Sequence, residues 1–291
     1  MPATPARSFP PAPAVLFFLA FTVFPVCLAS SGLHAQSELE WTATWTRDLP
    51  TPFTKTAVRP ENATDATYKD RLFSPKCPKI HHDFIVSYPR GLDAGGPADA
   101  AAAAVGQKYL SQLNEERQSL DMKADECDPD LPYSELYSDS WVTSSPYQVS
   151  PSTFSVLFSF GGYSGGAHGY YGYESVNLLS GGTLLTLGRL FPSPPTSLPR
   201  LWNAIFRGFC RGNETAPSFY GNQPCGGAAP PVPDPLKNPQ ASLDDAGHLL
   251  LTSRGLSVIL GGYEGYGFVG AVLDIPREEV LGMGADPAIW R

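Results

Sequence analysis

Two different spacings of apolar residues divide the sequence near residue 140. After that position, apolar and polar residues alternate over short segments bounded by Gly, Pro and Ser, the spacing that turns one side of a β-strand toward a core. This alternation predicts strands over residues 141–149, 153–161, 169–179, 183–187, 249–252, 256–261 and 268–273. A run rich in β-branched and aromatic residues predicts one earlier strand, over residues 80–88.

Helical spacing dominates the segment between that first strand and residue 140. Pro97 opens an alanine-rich stretch whose larger apolar residues fall near a single helical face: Val105, Tyr109, Leu113 and Leu120. A long helix is therefore predicted over residues 98–123. Shorter helices are predicted over residues 198–211 and directly after Pro276.

The strands thus cluster on the C-terminal side of one long helix instead of alternating with helices. That order predicts an α+β fold, in which a mainly antiparallel sheet packs against the long helix and shorter C-terminal helices. Residues 36–79 show no sustained period and are expected to form an irregular N-terminal arm. Residues 80–139 are expected to form a strand-helix companion segment, and residues 140–291 the main domain with a Pro/Gly-rich insertion near 212–240.

The N-terminus has the residue order of a secretory signal peptide. Arg7 precedes an apolar run over residues 14–29, and small and polar residues follow. Cleavage is expected after Ala35 or Ser31, which would leave a periplasmic or secreted mature chain without a membrane span. The alternative is that the run is kept as an anchor.

Charge and cysteine content narrow the classes of partner and cofactor. The formal net charge is −8, which disfavours nucleic acid and leaves a basic partner or none. Four cysteines would remain in an exported chain, and an even number predicts two disulfides. Of the three possible connectivities we choose the one that is local in sequence, which pairs Cys77 with Cys127 and Cys210 with Cys225. No Cys-x-x-Cys spacing or other cofactor motif is present, so no cofactor is expected.

A glycine-rich segment, residues 161–173, contains the Gly-x-Ser-x-Gly spelling of a hydrolase nucleophile elbow, with Ser164 as the nucleophile. Asp244 or Asp245, with His248, would complete a triad in the right chain order. The residues after Ser164 are poor helix formers, however, and they predict a hairpin instead of the helix that an elbow requires. A serine or metal-assisted hydrolase centred on Ser164 and His168 is therefore the alternative function, and a non-enzymatic one is favoured.

The histidines do not have the spacing of a metal site. No His-Glu-x-x-His motif is present, and His81 and His82 are expected on opposite faces of their strand. His168 stands alone in the glycine-rich segment, where an imidazole commonly hydrogen-bonds the turn backbone. No metal is therefore expected.

Glycine and tyrosine together are typical of recognition surfaces, because glycine allows close backbone approach and tyrosine offers rigid amphipathic contact area. A second short Gly/Tyr segment lies at residues 261–267. The two segments supply the expected ligand-binding residues: Tyr163, His168, Tyr170, Tyr171, Tyr263, Glu264 and Tyr266.

The order of motifs resembles a known family, the extracytoplasmic domain of unknown function shared by the lysozyme-sensing anti-sigma factor RsiV and the peptidoglycan deacetylase PdaC. The resemblance covers residues 80–284. It rests on the strand at 154–158, the Gly-Gly-Ala-His-Gly hairpin at 165–169, Val176-Asn177-Leu178, Leu190-Phe191, and the later Leu-Thr, Gly-Leu, Tyr-Glu and Ile-Pro pairs.

The resemblance implies an envelope-exposed α+β module that binds a ligand. No anti-sigma segment and no deacetylase domain accompany it here, so those activities are not expected. The expected function is an exported, non-enzymatic cell-envelope binding module for lysozyme or cell-wall glycan.

Overall fold

The strands of the chain form two sheets, and the helices cover them. The computed structural model describes residues 44–46, 53, 57–74, 77, 80–123, 137–163, 169–211, 229, 231–246, 248–264 and 267–291, all of which belong to one compact unit, Glu40–Arg291. The strands are β1 (Thr44–Thr46), β2 (Thr64–Phe73), β3 (His81–Arg90), β4 (Tyr137–Ser150), β5 (Thr153–Tyr163), β6 (Tyr170–Leu179), β7 (Leu249–Thr252), β8 (Gly255–Glu264) and β9 (Gly267–Pro276). The helices are α1 (Pro97–Lys123), α2 (Leu187–Leu190), α3 (Pro194–Arg211), α4 (Asp234–Lys237) and α5 (Arg277–Gly282), with a 3-10 turn at Pro287–Trp290.

Both sheets are mainly antiparallel, which confirms the predicted α+β class. The five-stranded sheet has the order β2-β3-β4-β5-β6, and the four-stranded sheet has the order β1-β9-β8-β7. Only β3 and β4 run parallel among the described strands, and α1 makes the crossover between them. The prediction of a single sheet is thereby corrected to two.

Strand β5 explains why two sheets are needed. Residues 153–158 are all buried, so both faces of this strand lie in a core. Phe154, Val156 and Phe158 pack with α1 and β3 on one face. Leu157, on the other face, packs against Leu250 of β7. Because alternate residues point to opposite faces, a continuously buried strand must be covered on both sides.

Helix α1 begins where its N-terminus is capped from the preceding turn. The carboxylate of Asp93 accepts hydrogen bonds from the backbone N–H groups of Ala98 (2.8 Å) and Asp99 (3.1 Å), two donors that the helix itself cannot satisfy. The buried face of α1 includes Ala98, Ala102 and Tyr109. Because alanine side chains are small, the helix lies close to the sheet, and the larger Tyr109 side chain contacts the sheet.

Helix α3 covers the four-stranded sheet. It starts earlier than predicted, at Pro194, because a proline lacks an N–H and fits the first turn of a helix. Its apolar face packs into a core with β7, β8 and β9 through Leu198, Leu201, Trp202, Ile205 and Phe209.

The expectation of an irregular arm over residues 36–79 is corrected by two strands. Strand β1 pairs with β9, and β2 pairs with β3 along its whole length. Most of β2 is exposed on both faces, with only Leu72 buried. A strand without a buried face has no two-residue hydrophobic period, which is the signal that the prediction relied on.

The strand expected over residues 183–187 is also corrected. Gly181 and Gly182 adopt φ values of 142° and 71°, in the tight turn that follows β6. After the turn, the chain makes isolated bridges at Leu184 and Thr186 and then enters α2, where the Thr186 hydroxyl accepts a hydrogen bond from the Arg189 N–H. A helix cap therefore ends the extended segment after single bridges.

Candidate functional site

A cavity of about 730 Å³ opens between α1, the strands β4 to β6 and the turn that precedes β7. Each of these elements contributes side chains, so the cavity exists only in the folded chain. Its lining residues are Phe84, Lys108, Tyr109, Gln112, Glu115, Ser138, Ser140, Trp141, Val142, Phe160, Gly161, Tyr170, Tyr173, Glu174, Asp244 and His248.

Helix α1 provides the polar wall. Lys108, Gln112 and Glu115 are spaced by four and three residues, which places them on one face of a helix. Tyr109 adjoins this face and contacts the sheet, with its ring 5.7 Å from that of Phe160 and 6.1 Å from that of Phe158. The wall is therefore anchored by a buried aromatic residue.

The aromatic wall of the cavity consists of lining residues from β4, β5 and β6: Trp141, Phe160, Tyr170 and Tyr173. The rings of Trp141 and Tyr171 lie 5.9 Å apart, and the Tyr170 hydroxyl lies 3.0 Å from the Ser140 hydroxyl. Gly161 lets these groups approach, because a Cβ there would lie 2.6 Å from the Tyr170 carbonyl oxygen and 2.7 Å from Cζ2 of Trp141. The glycine of β5 thus shapes the aromatic wall.

Glu174 is the first of two carboxylates in the cavity. Its Oε2 accepts hydrogen bonds from the Tyr109 hydroxyl (2.6 Å) and from Nζ of Lys108 (2.9 Å), while Oε1 accepts none from the described residues. The side chain is 18% exposed. Burial raises the pKa of Tyr109, and the hydrogen bond to Glu174 raises it further, so the phenol stays neutral and donates.

Asp244 is the second carboxylate. Its Oδ1 accepts hydrogen bonds from the Ser175 backbone N–H (2.7 Å) and hydroxyl (3.3 Å), and it lies 2.7 Å from Nδ1 of His248. Its Oδ2 accepts none from the described residues. Both carboxylates therefore use one oxygen to hold the fold, and the other oxygen accepts no hydrogen bond from the described residues.

His248 sits at the edge of the cavity in an uncommon backbone conformation, with φ of 52°. Burial acts to lower its pKa, but the hydrogen bond to Asp244 and the charges of Asp244 and Glu174 outweigh it, so the pKa of His248 is raised. The imidazole therefore holds a proton to higher pH than a free histidine does.

The cavity includes only part of the predicted surface. Tyr170 lines it, and Tyr171 lies beside it, 45% exposed. Tyr163 is half-buried at the end of β5, outside the lining. Ser164, His168 and Tyr266 lie outside the described residues, and Tyr263 and Glu264 are described only as paired backbone positions of β8.

The structure describes some of the predicted triad residues and cysteines and not others. His248 and Asp244 lie together in the cavity, whereas Asp245 instead accepts a hydrogen bond from the Ser242 hydroxyl (2.7 Å). Cys77 and Cys210 are each disulfide-bonded. Their expected partners, Cys127 and Cys225, lie outside the described residues, so the pairing stays a prediction.

Sequence analysis missed Lys108, Trp141 and Glu174 as site residues. Glu174 was the one that could have been found, because it is the one charged residue of the strand Tyr170–Leu179. Its partners in α1 are 65 and 66 residues away, and no local pattern connects them.

Two further classes of site are not seen in the described part of the chain. No group of three or more His, Cys, Asp or Glu side chains there could hold a metal ion. Nor does any described helix combine the length and apolar character needed to cross a bilayer.

Comparison with known proteins gives a fold and no activity. No protein-family model and no curated protein matches the sequence. Among solved structures, the chain is similar to a member of the DUF3298 family from Bacteroides fragilis, with a TM-score of 0.50 and 15% identity over 78% of this chain and 95% of that one. The chain shares that fold. A DUF3298 family protein from Pseudomonas aeruginosa also matches, with a TM-score of 0.45 and 14% identity over 79% of this chain and 98% of that one.

The Bacteroides fragilis neighbour is a member of a family of unknown function. This is consistent with the domain of unknown function that the motif order resembles, and the link to RsiV itself stays a prediction. At such low identity the likeness assigns neither ligand nor chemistry to the cavity.

Proposed function

We propose that the chain is an exported, non-enzymatic binding module that takes a segment of cell-wall glycan in this cavity. The observation that carries the proposal is the pairing of an aromatic wall with two carboxylates that each keep an oxygen available. Sugar rings present apolar faces that pack on aromatic rings, and their hydroxyls donate hydrogen bonds to carboxylate oxygens. The cavity volume is in the range of ordinary small-ligand sites.

A glycan segment fits a concave site better than a protein surface does. Lysozyme is the other expected partner, and a large protein face would have to contact the rim of the cavity more than its interior. The exposed Tyr171 and the half-exposed Tyr170 lie at that rim. Glycan binding should therefore depend on residues inside the cavity, and lysozyme binding on residues at its rim.

Isothermal titration with soluble peptidoglycan fragments, together with pull-down on whole sacculi and on immobilised lysozyme, tests the proposal on the full chain. Tyr170→Ala is expected to weaken fragment binding about fivefold to tenfold, because it removes aromatic contact worth roughly 1.0–1.4 kcal/mol. Tyr68→Ala is the matched control, since Tyr68 is 41% exposed against 38% for Tyr170 and each hydroxyl lies 3.0 Å from its polar partner.

Three results would contradict the proposal. Equal losses in the two variants would show that the aromatic wall is not the site. Capture of lysozyme, but not of fragments, would replace the glycan by a protein partner. Absence of binding to all three materials would remove the binding module itself.

The hydrolase alternative is favoured by one observation, the contact between Asp244 and Nδ1 of His248. In a Ser-His-Asp triad the acid binds Nδ1, and Nε2 faces the nucleophile. Labelling of the chain by a fluorophosphonate probe, lost in Ser164→Ala, would support a serine enzyme. Zinc retained after dialysis would support the metal-assisted form, and failure of both tests would remove this alternative.

A further inference from the structure

The charges in the cavity are unequal, and they point to the kind of glycan that it would take. Glu115, Glu174 and Asp244 supply three carboxylates, against the single ammonium of Lys108. The lining therefore carries two net negative charges when His248 is neutral and one when it is protonated. An anionic group next to these carboxylates would be repelled in either state and a cationic group would be attracted, so a carboxylate of a cell-wall fragment is expected to lie away from this lining.

The hydrogen-bond chemistry of the open oxygens agrees with the charge. Glu174 Oε1 and Asp244 Oδ2 can only accept, and the described residues offer them no donor. An ammonium group has three donors, whereas an acetamide has one donor and a carbonyl oxygen that must avoid a carboxylate. Charge-assisted hydrogen bonds are also about twice as strong as neutral ones.

The aromatic side chains add a third contribution. Nζ of Lys108 already lies 5.3 Å from the centre of the Tyr109 ring, which shows that a cation can lie over an aromatic ring face in this cavity. Trp141 and Tyr170 offer further rings in the same cavity. A ligand ammonium close to such faces gains cation–π attraction that an uncharged amide does not.

We propose that the cavity selects glycan units that carry a free amine, such as glucosamine, over their N-acetylated counterparts. This inference rests on the proposed function, since it names the sugar class for the same cavity. Glu174 and Asp244 act as the acceptors for the ammonium group, and Glu115 contributes charge at the exposed end of the α1 wall.

The test compares two ligands that differ only in acetylation: an oligomer of glucosamine and an N-acetylglucosamine oligomer of the same length. Titrations of the full chain at about pH 6, where a free amine is protonated, should give at least about tenfold tighter binding of the glucosamine oligomer. Added salt should reduce that preference, because it screens the attraction.

Variants separate the charge from the fold. Glu174→Gln keeps the shape and is expected to abolish most of the preference for the glucosamine oligomer, because removing the charge weakens binding of the charged oligomer more than binding of the acetylated one. Glu115→Gln replaces an exposed residue and should reduce the preference by about twofold to fivefold without touching the core. Glu278→Gln, on the exposed surface of α5 and outside the cavity, is the control and should change neither affinity.

Each outcome decides a different claim. Equal or tighter binding of the acetylated oligomer would overturn the amine selectivity and leave the glycan site intact. An equal loss of preference in Glu278→Gln would also overturn it, because a diffuse surface charge would then account for the effect. Failure of both oligomers to bind would overturn the proposed function together with this inference.

Discussion

Asn177 joins the two sheets at one buried point, and its replacement tests the packing on which the cavity depends. Its side chain is 2% exposed. The amide oxygen accepts from the Ser155 hydroxyl (2.7 Å) and the Leu251 N–H (2.9 Å), and the amide nitrogen donates to the Leu249 carbonyl oxygen (2.8 Å). One side chain on β6 thus satisfies two backbone groups of β7.

The size of the effect follows from these contacts. Asn177→Ala removes three hydrogen bonds with a net value of about 1 kcal/mol each. The Leu249 oxygen keeps the Ser175 hydroxyl at 3.1 Å, but the buried Leu251 N–H loses the Asn177 oxygen, at a cost of about 1–3 kcal/mol. With that cost for the Leu251 bond and about 1 kcal/mol for each of the other two, we expect a loss of about 3–5 kcal/mol in the free energy of unfolding.

Thermal and urea unfolding of the full chain measure this loss. For a chain of this size, about 2–4 °C of melting temperature corresponds to each kcal/mol, so Asn177→Ala should melt roughly 10 °C lower. Asn203→Ala is the control, because Asn203 is exposed on α3 and its amide bonds only the Pro199 carbonyl oxygen, at 2.8 Å. If the two variants melt within about 2 °C of each other, the reasoning from buried amide contacts is refuted.

Three further predictions concern the cavity, its glycine and the disulfides. Because the pKa of His248 is raised above 6.5, its contribution to stability should be full below that pH and lost as the pH rises through the folded-state pKa; melting curves of wild type and His248→Gln should converge at alkaline pH, and a constant gap would contradict this. The effect should be small, since the side chain is 40% exposed. Gly161→Ala should destabilise the protein by about 1–3 kcal/mol and weaken fragment binding, and unchanged titrations would show that the aromatic wall tolerates the displacement. Peptide mapping without reduction should recover the two sequence-local pairs, and any other linkage would contradict the chosen connectivity: Cys77 with Cys127 and Cys210 with Cys225.

The parts of the fold that could be predicted are those in which a local pattern meets a core. The alanine-rich segment became α1, and strands β3 to β9 lie close to their predicted bounds because each buries at least one face. Strand β2 was missed because its stability comes from pairing with β3, a property of two segments. The number of sheets was missed although residues 156–158 contained a signal, three consecutive apolar residues that break the alternation and indicate burial on both faces.

The site was less predictable than the fold, because its residues are brought together by contacts between distant parts of the sequence. Tyr170 and the His248–Asp244 pair were singled out from motifs that are short in sequence. Lys108 and Glu174 meet only because α1, the crossover connection from β3 to β4, packs near β6. A single sequence without long-range pairing information cannot place these two side chains together.

Strand β6 shows how the same residues serve the fold and the cavity. It is the edge of the five-stranded sheet, and an exposed edge offers unpaired N–H and C=O groups to other chains. Here the Ser175 N–H donates to Asp244 (2.7 Å), the Asn177 carbonyl accepts from Leu185 (2.8 Å), and the Leu179 N–H donates to Thr183 (2.9 Å). The carboxylate that protects this edge is also the one that holds His248 at the cavity. Loss of Asp244 would therefore disturb the strand edge and the site together. Among the described residues the Glu174 side chain bonds only side chains of α1, so Glu174 gives the cleaner probe of ligand binding.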